Sequence, residues 1–382
     1  MSDSNVPTLD KRAPSPSSQI ESPYAWARLV TSLVLMTLGG VAMYGVVVVL
    51  PAVQAEFGVA RADAALPYTL TMIGFGIGGI AMGALADRYG VMVPVLIGAL
   101  GLGGGLVLSG MSQNILQFTL AHGVLAGLLG CSATFAPLVA DISLWFAKRR
   151  GIAVAIVISG NYLAGAVWPP VLQHLFDRFG WRPIYIAMGL FCFAVMLPLA
   201  LVLRPRPPAA APATTAAAAA AARPLGMSPN ALIALLSIAG VACCVAMSMP
   251  QVHIVAYCGD LGYGAQRGAE MLSLMLASGI VSRLASGWIS DRIGGVRTLL
   301  LGSALQGIAL ALFLPFDGLV SLYIVSALFG LFQGGLVPAY AIIVREFFSP
   351  REAGTRVAMV LMATLFGMAF GGWVSGAIFD AT

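Results

Sequence analysis

Arg283 stands inside an apolar run, eight residues before Asp291, with Gly279, Ile280, Ser286 and Gly287 where one helical turn would bring neighbours beside it. At 1.5 Å per residue the guanidinium lies about 12 Å inside the end of such a helix. A charge at that depth of a bilayer costs at least about 2.5 kcal/mol, so it asks for a reason. No acid is within reach on its own helix. Either backbone carbonyls or another helix satisfy it, or it is kept to hold a carboxylate through two parallel N–H bonds. His253 follows Pro250, which is expected to kink the chain. Its imidazole, with an unperturbed pKa of about 6.5, can exchange a proton near neutrality. No Asp or Glu lies deep in an apolar run, which makes His253 the proton-coupling candidate, although a hydrogen-bonding or pore-lining role fits the same position. His122 is read as a satisfied polar contact. Asn161 and Tyr162 interrupt the run ISGNYLAGAVWPP ahead of Trp168, and Gln251, Gln333, Tyr340 and Tyr44 are similar interruptions. Such groups either line a cavity or hydrogen-bond between helices. Arg283, Asn161, Tyr162, Tyr340 and Gln251 form the candidate substrate-binding set. Asp141, close to Lys148, Arg149 and Arg150, is expected at the interface. There is no metal-ligand spacing, no phosphate-binding loop and no Ser or Cys with a His and carboxylate partner, so catalysis, a cofactor and an ATP-driven pump are not expected.

The elements that would position these groups are membrane helices. Of 382 residues 59% are hydrophobic and 9% charged, against about 25% charged in a soluble domain. Runs long enough to cross a hydrocarbon core of about 30 Å fall near 27–50, 64–86, 91–111, 115–142, 150–172, 182–203, 229–257, 267–289, 296–315, 318–344 and 353–379, eleven in all. Residues 1–25 read as a polar, disordered cytosolic tail without the features of a signal peptide. The stretch 204–228, rich in Pro and Ala, is a linker between a six-helix bundle (26–203) and a five-helix bundle (229–382). The five cysteines lie mostly in apolar runs and read as packing residues. Fifteen of the twenty Lys and Arg residues fall on the N-terminal side of the spans, four (Arg61, Arg178, Arg182, Arg267) on the other, and Arg283 is the remainder. That bias puts the N-terminus in the cytosol, and the charge of +5 needs no nucleic-acid partner.

The two bundles repeat. GALADRYG (Gly83 to Gly90) recurs as GWISDRIG (Gly287 to Gly294), 204 residues on, while Gly151 and Phe176-Asp177 recur at Gly354 and Phe379-Asp380, 203 residues on. Parallel six-span repeats characterise one large class of secondary transporter. The loop formed by Gly83, Leu85, Ala86, Asp87, Arg88 and Gly90 resembles the signature of the major facilitator superfamily. Gly83 would let helices approach closely, and Asp87 would cap a helix start and pair with a base. Val91-Met92 replaces the usual basic pair, and in the second copy (Gly287, Asp291, Arg292, Gly294) one base remains at Arg297. Tyr24-Ala25-Trp26, the segment WFAKRRGIA from Trp145 and HIVAYCGDLG from His253 are similar to the monocarboxylate and oxalate/formate branch. The resemblance covers residues 24–380. It implies an all-α, two-bundle fold of 6 + 5 spans and an arginine on the eighth helix that binds the substrate carboxylate, with Gly279 in place of an acid carried by some relatives.

The expected function is secondary active transport of a small organic anion, a monocarboxylate by the resemblance, through alternating access in a bacterial inner membrane, with a proton or counter-anion as the coupled species. Export of an amphipathic compound and a non-transporting sensor on the same scaffold are the alternatives. By the repeat, a twelfth helix would begin about five residues beyond the chain's end. Either the sequence stops short of it or the protein has eleven spans.

Overall fold

The computed structural model describes residues 20–146, 149–206, 227–348 and 350–381. Among them are eleven helices long and apolar enough to cross a membrane, and no strand. The first group comprises α1 (Pro23–Phe57), α2 (Arg61–Tyr89), α3 (Met92–Gly110), α4 (Ile115–Trp145), α5 (Arg150–Phe179) and α6 (Trp181–Val202). The second comprises α7 (Pro229–Asp260), α8 (Ala265–Ile293), α9 (Gly295–Leu312), α10 (Leu319–Gln333 and Leu336–Phe347) and α11 (Pro350–Ala381). The end of the molecule where α1 begins is called the near face and the opposite end the far face.

Span positions match the hydropathy reading, and the differences have local causes. The expected tail is described only from residue 20, and α1 has begun by Pro23, where the Ser22 hydroxyl accepts the Ala25 N–H at 3.2 Å and a proline suits the first helical position. At its other end α1 runs past Pro51 to Phe57 and stops at Gly58, whose φ of 63° favours glycine. Residues 207–226 of the expected linker lie outside the described residues. Spans four and ten are both interrupted, at Thr134-Phe135 before Pro137 and at Gly334-Gly335 before Pro338. Proline removes a helix hydrogen bond and crowds the carbonyl four residues back. At the first break both the backbone N–H and the hydroxyl of Thr134 donate to Cys131 O, at 3.2 and 3.0 Å.

Within the first bundle α1 packs on α5, α3 on α4 and α6, and α2 on α4; within the second α7 packs on α11 and α8 on α10. The bundles meet along two seams, α2 with α11 and α5 with α8, and α1 touches α7. The repeat has one unequal consequence. Gly103 of α3 receives the Phe193 ring of α6, whereas its counterpart 204 residues on, Gly307 of α9, faces open space.

Asp141 has a partner that its own helix does not show. Near the near-face end of α4 it is 6% exposed, and its carboxylate is held by a fully buried Arg28 through Nε at 2.7 Å and Nη2 at 2.8 Å. Arg28 Nη1 donates to the Tyr24 hydroxyl and to Pro205 O, and the guanidinium lies 4.8 Å from the Trp145 ring centroid. The two residues are 113 apart, so each looks unpaired along its own helix. Removing one partner of a buried, bidentate pair strands the other charge and costs about 3–5 kcal/mol, whereas replacing both with apolar groups is far better tolerated. Asp141→Ala is therefore expected to lower the unfolding temperature in detergent sharply, and the double variant Arg28→Met, Asp141→Leu to recover most of it. Equal losses in both variants would contradict this account.

Candidate substrate site between the two bundles

The α5–α8 seam is closed where small residues let the helices touch. The Ser273 hydroxyl of α8 donates to Ala166 O of α5. A methyl group on Gly165 would strike Leu276 and Tyr44, and one on Gly279 would strike the Tyr162 ring. Glycine at 279 is thus what allows Tyr162, 6% exposed, to pack against α8. One turn further along α8, the Arg283 guanidinium carbon sits 3.8 Å from the Tyr162 ring centroid. The aromatic face offers a cation about 2 kcal/mol when water is excluded. It cannot accept the N–H bonds that radiate in the guanidinium plane. Nε and Nη1 of Arg283 are buried and have no hydrogen-bond partner among the described residues. The ring therefore holds the cation and leaves an N–H on each of its two edges without a partner.

Neighbouring groups extend this polar centre into the first bundle. The Tyr44 hydroxyl of α1 donates to Asn161 Oδ1 at 3.2 Å. The Trp168 indole N–H donates to Thr37 O at 2.8 Å, tying α5 to α1. Asn161 also borders a cavity of about 10 Å³ beside Met36, Phe75, Thr134 and Phe135, room for about one water. In the second bundle Gln251 Nε2 donates to Gln333 Oε1 at 2.8 Å, both side chains are buried, and Gln333 Nε2 is left without a partner. The next residue, Gly334, packs directly on Gly279 O and Ser282, so this amide pair borders the α8 strip that carries Arg283. Tyr340 is placed elsewhere: it is 1% exposed in a separate core cluster with Leu232, Leu236, Leu299 and Ile343.

His253 lies at the other seam. Its Nε2 is 2.9 Å from Gly372 O of α11. A carbonyl only accepts, so Nε2 carries the hydrogen and Nδ1, buried and unpartnered, presents a lone pair. Gly372 packs in turn on the Tyr68 ring of α2. His122 is fully buried, with Nδ1 3.0 Å from the Thr71 hydroxyl and its ring stacked on Phe118.

Two turns beyond His253 the far face is fastened by residues absent from the sequence-derived set. Arg61, at the start of α2, grips Asp260, at the end of α7, with Nη2 at 3.1 and 2.8 Å from the two carboxylate oxygens. Its guanidinium carbon lies 3.7 Å from the Phe379 ring centroid. Asp380 of α11 accepts the backbone N–H groups of Arg61 at 2.9 Å and Ala62 at 2.7 Å. Ala60 supplies no side-chain cap to α2, so the opposite bundle provides the carboxylate that satisfies the first turn and its dipole. The one legible sign was Phe379-Asp380 in the repeat.

The near face is parted. Gly83, read as a point of close helix approach, and its counterpart Gly287 have nothing described within 4 Å of where a Cβ would stand. Asp87 is not a cap for α3; it is an exposed residue in the last turn of α2, and Val91 at the α3 start receives no side-chain bond. Among the described residues neither role is seen in this conformation. The turns themselves recur: Gly90 and Gly294 have φ of 88° and 83° and donate to Ala86 O and Ser290 O. Arg88 lies near the Tyr89 ring and Arg292 on the Trp288 ring. The Asp291 side chain lies outside the described residues.

Two helical bundles closed at one face, parted at the other, and enclosing a buried, unsatisfied cation at their seam define an integral membrane protein of the solute-carrier class. The sequence profile of the Major Facilitator Superfamily matches residues 31–321 and 259–382. The chain belongs to that superfamily of transporters. It is similar to monocarboxylate transporter 13 of Bos taurus, 26% identical over 307 residues, covering 78% of this chain and 70% of that one. It is likewise similar to the agnestins efflux protein AgnL12 of Paecilomyces divaricatus, 27% identical over 263 residues, covering 67% and 57%. A solved bacterial homologue of the human lysosomal transporter Spinster, in an inward-facing and occupied conformation, superposes with a TM-score of 0.72 at 19% identity, covering 94% of this chain and 83% of the other.

Proposed function

We propose that this transporter moves a small organic anion, a monocarboxylate, by rocking its two bundles about a site at Arg283. The observation that carries the reading is the guanidinium of Arg283, stacked on Tyr162 with Nε and Nη1 buried and empty. A carboxylate is planar, would take two parallel N–H bonds from Nη2 together with either Nε or Nη1, and neutralises the charge. Relatives named as monocarboxylate transporters support the substrate class. The excess of Lys and Arg supports a cytosolic near face, and the parted near face with a fastened far face would then be an inward-facing state. Tyr44, Asn161, Tyr162, Gln251 and Gln333 border the site. Tyr340 would act only through the packing of the second bundle.

Proton symport would cancel the anion's charge, and His253, at the α2–α7–α11 seam, is the carrier. His253→Gln keeps an N–H donor for Gly372 O but cannot titrate. It is expected to abolish accumulation of labelled acid driven by a pH gradient in proteoliposomes while leaving exchange of acid across the membrane intact. Full proton-driven accumulation in the variant would move coupling elsewhere. The reading as a whole is tested by counterflow with short monocarboxylates, and absence of counterflow for every acid would sink it. Export of a larger amphipathic compound is the second reading, favoured by the efflux name of one relative.

A further inference from the structure

Beyond the point where Gly279 meets Tyr162, α5 and α8 diverge toward the near face and leave a groove of about 320 Å³. Ile152, Ile156 and Leu163 line it along α5, Ile280 and Leu284 along α8, and Leu33 of α1 forms its floor. Eleven residues separate Ile152 from Leu163, so the trough is about 16 Å long. Its volume falls at the lower end of small-molecule sites, about 300–1,000 Å³. Its rim is open: Ile152 and Leu284 are each 62% exposed. Ser159 is the only polar side chain in the lining, and its hydroxyl already donates to Ala155 O at 2.8 Å. The side chains that line the groove offer an occupant no free hydrogen-bond donor.

One end is different. Ile280 and Leu284 bracket Arg283 on α8, and Ser159 and Leu163 bracket Tyr162 on α5, so the closed end of the groove is level with the stacked guanidinium. The guanidinium therefore sits level with the groove's closed end, behind the residues that line it, and the trough leads from there toward the near face. A bilayer lipid keeps its headgroup at the surface, so it can place a tail in this groove but no anion at Arg283. The geometry points to an amphipathic monocarboxylate, its carboxylate on Arg283 and its alkyl chain laid along the α5–α8 groove, entering sideways from the bilayer. This rests on the reading of Arg283 as the carboxylate site and narrows its substrate class to acids with an extended apolar tail.

The test is equilibrium binding of straight-chain monocarboxylates from acetate to decanoate to the full chain in nanodiscs, with 1-decanol as the uncharged control. Each methylene that enters the groove is expected to tighten binding about fourfold. Ala155→Trp, at an exposed position on the trough wall, is expected to flatten that series, and Leu163→Trp at the closed end to do the same. Arg283→Gln is expected to weaken every acid in the series. A flat series in the parent, or an undiminished gradient in both tryptophan variants, overturns the groove while leaving the carboxylate site standing if Arg283→Gln still loses binding. Equal binding of 1-decanol and decanoate would mean that the groove takes alkyl chains without regard to charge, and would overturn the proposal. Unchanged binding of all acids in Arg283→Gln would overturn the carboxylate site itself.

Discussion

Arg283→Gln is expected to cost about 2–4 kcal/mol of carboxylate binding, roughly 30- to 1,000-fold in Kd, because truncating one partner of a buried, hydrogen-bonded charge pair costs that much. Arg283→Lys is expected to recover little. An ammonium has no planar fork for a carboxylate and stacks poorly on Tyr162. The ligand-free protein should respond in the opposite sense. A guanidinium whose Nε and Nη1 are buried without partners bears an unrecovered desolvation cost, so Arg283→Gln should leave the unfolding temperature unchanged or raise it. Arg28 provides the contrast, since its pairing with Asp141 makes it structural. Titration of the purified variants with a labelled monocarboxylate, beside their thermal unfolding, separates the cases. A strongly destabilised Arg283→Gln protein would mean that the arginine is satisfied in a way that the empty N–H groups do not suggest, and weak binding would then carry no weight for the site.

The sequence was legible wherever the information lay along one helix. Eleven spans follow from run length, the repeat from spacing, and the solitary Arg283 from the absence of an acid one turn away. The structure places Gly279 under Tyr162, which makes the small residues around Arg283 intelligible as the space for a stacked ring. Pairings between helices were not legible. Arg28 reads as one of many basic flanking residues, Asp141 as one of a charged cluster, and only a contact across 113 residues joins them. The fastening of the far face depends on helix ends from three separate spans, and its parts are an ordinary loop arginine and two terminal acids. The interruptions of α4 and α10 could have been inferred from Pro137 and Pro338. Membrane helices nevertheless often absorb proline, as α7 does at Pro250 without ending, so the residue type alone did not decide. Gly83 and Asp87 were assigned contacts from their place in a loop motif alone, and the described residues show neither.

Arg61→Ala is expected to unfasten the far face. The Arg61–Asp260 pair has one partly exposed member, Asp260 at 41%, and such pairs contribute at most about 1 kcal/mol. The stack on Phe379 adds about 0.5–1 kcal/mol. Together that is about 1–2 kcal/mol favouring the far-closed state, and its loss shifts the equilibrium between states about five- to thirtyfold. Asp380→Ala removes a helix cap worth about 1 kcal/mol and should act in the same direction. Thr69 of α2, whose hydroxyl donates to Ala369 O of α11 at 3.2 Å, reports on that seam. In a background lacking the native cysteines, a cysteine at Thr69 should react with an impermeant maleimide from the far side about five to thirty times faster when Arg61 is alanine. Exchanging the charges, with Arg61→Asp and Asp260→Arg together, should restore part of the protection, because the ion pair is rebuilt while the stack on Phe379 is not. An unchanged labelling rate in both single variants would show that the far face is held by the apolar packing of α2 on α11, with the charges as passengers. A faster rate that the charge exchange failed to reduce would assign the effect to the stack and the cap. The partial rescue is thus what identifies the ion pair as part of the fastening.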